Sequence, residues 1–205
     1  MDIVNNLSEA DVNALKENEA PKQLKTPQVD INFVSEQEGN KHKGYVPSQN
    51  SGVTIGMGFD LKDKDEDTLR RMGIEEKTII KLKPFLGLSG DAAKAIAGNL
   101  MITDPDELNS LNQASKAFYI ADIAKQYNKA SGAKFVDLDP VQQTVLFSVG
   151  YQYGSLSRTP KFLKAAAENR WQDVHKELMN FGDDFKSRRQ REARYLHQYL
   201  LKSKY

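Results

Sequence analysis

Residues 38–60 read EGNKHKGYVPSQNSGVTIGMGFD, and the order of residue types in this stretch decides the fold. Glu38 closes a short predicted helix whose apolar side is Ile31, Phe33 and Val34, with Gly39 as the stop. From Gly44 to Asp60, β-branched and aromatic residues are mixed with Gly, Asn, Ser and Pro, the pattern of strands joined by turns. Elsewhere the chain offers no comparable β segment. A glutamate at a helix end sits at the core's edge, where partial desolvation keeps a carboxyl protonated near neutrality, as a general acid requires. Asp60 follows a glycine-rich strand end at which a bulky ligand can approach the backbone. Two carboxyls in different environments, with the Thr54 hydroxyl to orient a water, supply what glycoside hydrolysis needs.

Outward from this stretch the chain reads as helices. DEDTLRRMG closes at Gly73, and residues 89–97 begin with a serine cap. Phe118, Ile120, Ala121, Ile123, Ala124 and Tyr127 recur on one broad helical face. PVQQTVLFSVGYQY, residues 140–153, starts with a first-turn proline and is apolar on nearly every side, which predicts a helix in the middle of a domain. Further helices follow from Pro160, around Trp171, Val174 and Leu178, and from about Lys186 to Leu201. Residues 1–30 have a different texture: Ser8 and Asp11 suggest a capped short helix, and EAPKQLKTPQ a linker, so the domain is expected to span residues 31–205. The fold class is α+β, mainly α, with a small sheet near its beginning.

Composition narrows the function. With 39% hydrophobic and 28% charged residues in 205, the chain is neither disordered nor collagen-like. The absence of cysteine excludes disulfides, thiolate nucleophiles and Cys-ligated metals. The net charge of +1 hides a division, because residues 156–205 carry 12 Lys and Arg against 6 Asp and Glu. Lys186, Arg188, Arg189, Arg191 and Arg194 therefore suggest an anion-facing helix, with a solvated basic face as the plainer reading.

Glu-Gly, a spacer containing Gly44-Tyr45, and then Thr54-Ile-Gly-x-Gly58 resemble the active-site region of phage-type lysozymes. LFSVGYQYGSLSRTPKFLKAAAENRWQDVHKEL resembles their C-terminal helical lobe, with Gly150, Gln152, Gly154, Phe162 and Trp171 in order, and RRQREARYL resembles their Arg-rich last helix. One departure is informative. Those enzymes carry the catalytic Asp before the Thr, yet residues 39–53 hold no acid, and Asp60 lies six residues after Thr54. The order Glu, Thr, Asp is similar to that of the pesticin-like bacterial toxin homologues of phage lysozyme.

The resemblance implies a lysozyme-like fold and cleavage of the β-1,4 bond between N-acetylmuramic acid and N-acetylglucosamine, in an antibacterial toxin or alternatively a phage endolysin. Glu38 would protonate the leaving oxygen, while Asp60 and Thr54 activate a water. A carboxyl separation of about 6.5–9.5 Å would mean inversion, and about 5–5.5 Å retention. Tyr45, Gly58 and Gln152 are implied as substrate contacts, and Arg188 and Arg191 as partners for anionic peptidoglycan. The toxin resemblance also implies an immunity protein, a secretion apparatus and action in a target cell's periplasm after synthesis in the cytoplasm. The N-terminus does not read as a secretory signal, and a monomer is expected.

No cofactor or metal is expected. Asp63, Asp65 and Asp67 start like a calcium loop, but Thr68 and Ile74 stand where it needs Gly and Glu. His42, His175 and His197 show no zinc spacing. Gly56-x-Gly58 is too short for a dinucleotide fingerprint, and a nucleic-acid-binding module, the alternative of another class, lacks basic and aromatic interleaving outside the last helix. A catalytically silent glycan-binding fold is the remaining alternative. No apolar run spans a bilayer, so membrane insertion is not expected.

Overall fold

A computed structural model describes residues 25–202, apart from the side chains of residues 36–38; the short helix expected near Ser8 lies outside the described residues. Helix α1 is Ile31–Glu38, started by Asp30, whose side chain accepts the Phe33 N–H at 3.0 Å, and stopped at Gly39 with φ +69°. Strands β1 (Lys41–Tyr45), β2 (Thr54–Gly56) and β3 (Phe59–Asp60) follow as an antiparallel sheet in the order β1-β2-β3. The remaining helices are α2 (Glu66–Arg71), α3 (Glu76–Leu82), α4 (Gly90–Ile96), α5 (Pro105–Ser131), α6 (Pro140–Tyr153), α7 (Pro160–Ala167), α8 (Trp171–Met179) and α9 (Lys186–Lys202). The α+β reading therefore stands, with one small sheet and a larger helical part.

Two hydrophobic cores divide the molecule. The sheet core gathers Val53, Ile55, Phe59 and Leu61 with Leu69, Ile79, Leu82 and Leu100. The helical core gathers Phe33 and Val34 with Val145, Phe147, Phe162, Trp171, Val174 and Leu196. Helix α5 runs through both: Leu108 and Leu111 sit in the first core, Ile123 and Tyr127 in the second, and Tyr119 packs against each. At 27 residues it is about 40 Å long. Asp104 caps it, Pro105 occupies its first turn, and left-handed Gly132 ends it. The face read at Phe118–Tyr127 is only its C-terminal half. Its N-terminal half buries Glu107, Asn112, Ser115 and Lys116, and those polar residues blur the apolar stripe.

Helix α1 belongs to the helical core although it precedes the sheet. The Asp30 and Gln28 N–H groups donate to Thr144 Oγ1 and Gln143 Oε1 of α6, and Phe33 stacks on Tyr195 of α9 with ring centroids 4.2 Å apart. The lobe boundary thus falls at Gly39 and Asn40, directly after Glu38. As expected, α6 is enclosed, with residues 142–150 buried, and a capping box of Asp139 and Gln142 starts it.

The basic last helix departs from the sequence reading. Arg189 is 1% and Glu192 0% exposed. The Arg189 guanidinium donates to Glu192 and Gln152, and to Asp183 at 3.0 Å; Arg188 donates to the Ser148 carbonyl at 3.1 Å and lies 3.4 Å from Glu192. Burial pushes the Glu192 carboxyl up despite these cations. Burial also acts to raise Asp183, but the Tyr153 hydroxyl, Arg189 and the Phe185 N–H hold it below the usual carboxylate range. The arginines at the start of α9 are therefore largely internal, answered by acids that a count of charge along the chain does not place.

Two measurements test this packing. Removing one member of a buried ion pair leaves a charge uncompensated, so Arg189→Met is expected to lower unfolding free energy by about 3–5 kcal/mol in urea denaturation. His175 and His197 face each other across α8 and α9 at 5.8 Å, and burial together with His197 depresses the His175 pKa below 6.5. The unfolded chain then binds protons before the folded one does, so stability is full above about pH 6.5 and falls as pH drops through that value. Melting curves at pH 7.5 and 5.5 should show a smaller acid-side loss in His175→Gln than in the wild type.

Candidate active site

The sheet builds the site from its register. Thr54 is paired with Tyr45 on β1 and with Asp60 on β3, so Tyr45, Thr54 and Asp60 form a row across three strands. Ile55 and Phe59, paired one step along, point to the opposite face and into the sheet core. Alternation thus turns the apolar pair inward and the polar row away from it.

Asp60 is half-buried and held from behind. Its carboxylate accepts the Gly52 N–H at 3.1 Å and the Lys62 N–H at 2.8 Å. It does not cap the helix that follows; Asp65 does that, accepting the Thr68 N–H at 2.7 Å. Thr54 is 1% exposed, and its hydroxyl donates to the Gly52 carbonyl at 3.3 Å. The sequence reading placed Thr54 directly on a water. In the structure it is the covered central residue of the sheet, and it shares Gly52 with Asp60: its hydroxyl donates to the Gly52 carbonyl, while the Gly52 N–H donates to the carboxylate. Tyr45, half-buried, carries the Lys41 ammonium 3.7 Å from its ring centroid.

Glu38 is the last residue of α1, followed by the left-handed Gly39 and then by β1; its side chain lies outside the described residues. Gly58 has φ +82° and forms the tight β2–β3 turn with Met57. Gln152 uses its carbonyl on Arg189, which leaves its NH2 group for any ligand. Arg188 is engaged with Ser148 and Glu192, and the Arg191 guanidinium lies 5.2 Å from the Phe33 ring. Beside this network a hollow of about 380 Å³ is lined by Tyr153, Phe162 and Phe181 together with Arg158, Lys161, Glu177 and Asp183.

The sequence reading missed the residues that hold the β2–β3 turn. The Met57 N–H donates to Asn112 Oδ1 at 2.9 Å, the Met57 carbonyl accepts from the Tyr151 hydroxyl at 2.9 Å, and its sulfur lies 2.9 Å from Lys116 Nζ. Two polar residues four apart on α5 were the available signal, but their partners lie more than 50 residues away. Among the described residues no three His, Asp or Glu side chains converge as metal donors, and no helix is long and apolar enough to cross a membrane.

Gly52 leaves no room for a side chain beside Asp60. A Cβ there would meet Asp60 Oδ1 and the Lys62 nitrogen at 2.6 Å each. Gly52→Ala is therefore expected to displace the Asp60 carboxylate and to lower stability by about 1–3 kcal/mol, read by urea denaturation.

No curated protein matches the chain. The Pesticin family, described as a bacterial toxin homologue of phage lysozyme, C-terminal part, matches residues 28–172. That span covers most of the chain and runs from α1 through the sheet row, α5, α6 and α7 to the first two residues of α8; residues 1–27, the rest of α8 and α9 lie outside it. By this match and by its two-lobed α+β architecture, the chain belongs to the pesticin family of bacterial toxin homologues of phage lysozyme.

Proposed function

We propose that the protein is a muramidase that cleaves the β-1,4 bond between N-acetylmuramic acid and N-acetylglucosamine in peptidoglycan, acting as an antibacterial toxin. The observation that carries the reading is the Asp60 carboxylate. It is half-exposed, gripped by two backbone N–H groups, and on the polar sheet face that begins three residues after Glu38. A carboxylate held this way keeps its position while a water docks on its remaining lone pairs. Glu38 gives its proton to the glycosidic oxygen as the C1–O bond breaks. Asp60 takes a proton from the water that attacks C1 from the opposite face of the sugar. Solvent exchange afterwards returns the proton to Glu38.

The family's description as a toxin supports a bacterial target, with the peptidoglycan wall as the place of action. A producer of such a toxin needs an immunity protein that covers the cleft. Because Arg188 and Arg189 are engaged internally, Arg158 and Lys161 beside the aromatic hollow are better placed to meet the carboxylates of stem peptides. The enzyme works as a monomer and requires no cofactor.

Digestion of purified sacculi, with mass spectrometry of the released fragments, tests the reading. The wild type should release disaccharide muropeptides ending in reducing N-acetylmuramic acid, and Glu38→Gln and Asp60→Asn should each lower the rate by about 10²–10⁴-fold. Loss in Glu38→Gln alone would require a different group to activate the water. A wild type that sediments with sacculi but releases nothing would replace the enzyme with a glycan-binding module.

A further inference from the structure

Asn112 is a polar residue on the apolar side of α5, 4% exposed between Leu108 and Leu111 on one side and Ser115 on the other. A buried amide is costly unless both its ends are used. Both ends of Asn112 are used, on the hairpin turn and on the joint between α1 and β1. Its Oδ1 accepts the Met57 N–H at 2.9 Å, and its Nδ2 donates to Asn40 Oδ1 at 3.1 Å. Met57 lies between Thr54 and Asp60, in the turn of the hairpin that carries them. Asn40 lies two residues after Glu38, across the left-handed joint at Gly39.

The fit leaves no slack. A Cβ on Gly56, which has φ +61°, would meet Asn112 Oδ1 at 2.3 Å, so the amide reaches the turn only because that residue is glycine. One helical turn further along, the Lys116 ammonium makes a parallel connection, donating to Ser35 Oγ of α1 while it touches the Met57 sulfur. With the Tyr151 hydroxyl on the Met57 carbonyl, these ties add directional contacts at the turn to what the backbone at residues 39–40 and the shared helix α5 already provide.

On the muramidase reading above, we propose that Asn112 is a positioning residue, which fixes the separation of the acid-bearing end of α1 from the hairpin that carries Thr54 and Asp60. Its role is to hold two segments at the spacing that proton donation and water attack on opposite sugar faces demand, and a misplacement of about 1 Å can cost about 100-fold in rate. The same amide also makes the turn rigid where glycines on both sides of Met57 would otherwise leave it free.

The test compares wild type, Asn112→Ala, Asn112→Asp and Asn40→Ala by kcat and KM on soluble peptidoglycan fragments, with melting temperature measured alongside. Asn112→Ala should lower kcat by about 100-fold while KM changes little, because the tie aligns the reacting groups without binding the glycan. Asn112→Asp should recover most of kcat, since a carboxylate still accepts the Met57 N–H and the Asn40 amide can turn to donate to it. Asn40 is exposed, so Asn40→Ala opens the tie from its outer end without a core cavity and should lower kcat in the same direction with the melting temperature unchanged. The proposal is overturned if Asn112→Ala and Asn40→Ala keep kcat within about twofold of wild type. It is equally overturned if kcat falls only in step with melting temperature and Asn112→Asp recovers nothing. A wild type that cleaves no fragment sinks the muramidase reading itself and the positioning role with it, whereas a cleaving wild type with indifferent variants sinks the positioning role alone.

Discussion

Met57 is where the two halves of the molecule are made to agree. Its N–H, carbonyl and sulfur are each engaged by a side chain from α5 or α6, while the strands on either side of it belong to the sheet core. Hydrophobic burial gives each lobe its own stability but says little about their relative placement, because apolar contact is non-directional. Directional hydrogen bonds to a single turn supply what burial lacks. The polar residues 112 and 116 of the long helix meet this turn, which gives two of the buried polar residues of its N-terminal half their partners.

A second polar assembly does comparable work inside the helical lobe. Arg189 and Glu192 are almost fully enclosed, with Asp183, Gln152, Ser148 and Arg188 around them. Such a cluster is weak evidence for stability, since desolvation offsets most of the attraction. Its geometry is specific, however, and it fixes α9 against α6 at the level of Gln152. The Tyr153 hydroxyl, pushed up to about 12 by burial and by Asp183, stays a proton donor at neutral pH. The wall of the aromatic hollow is therefore set in part by an internal ion network, while Arg158 and Lys161 on its lining are exposed.

How much of this was legible in the sequence follows from the range of the interactions. The end of α1 at Glu38-Gly39, strands β2 and β3 within residues 44–60 and the buried character of α6 were readable, because capping, alternation and apolar density act within a few residues, whereas β1 begins three residues before the stretch that was read as β. The pairing of Thr54 with Asp60 was implicit in a hairpin turning at Met57-Gly58. The terminal arginines were misjudged although Glu192 stands three and four residues from them, at helical contact spacing, because spacing does not tell an exposed pair from a buried one. Asn112 could not be read at all. Its partners are 55 and 72 residues distant, and only the packing of α5 between the cores brings them together.

The account turns on whether one glycan lies between Glu38 and Asp60. A crystal structure of Glu38→Gln with a peptidoglycan tetrasaccharide tests that most directly. The account predicts residue 38 within hydrogen-bonding distance of a glycosidic oxygen, with Asp60 facing the opposite side of the same N-acetylmuramic acid ring. A tetrasaccharide seated away from the Tyr45–Thr54–Asp60 row, or with both residues on one side of the ring, would contradict it.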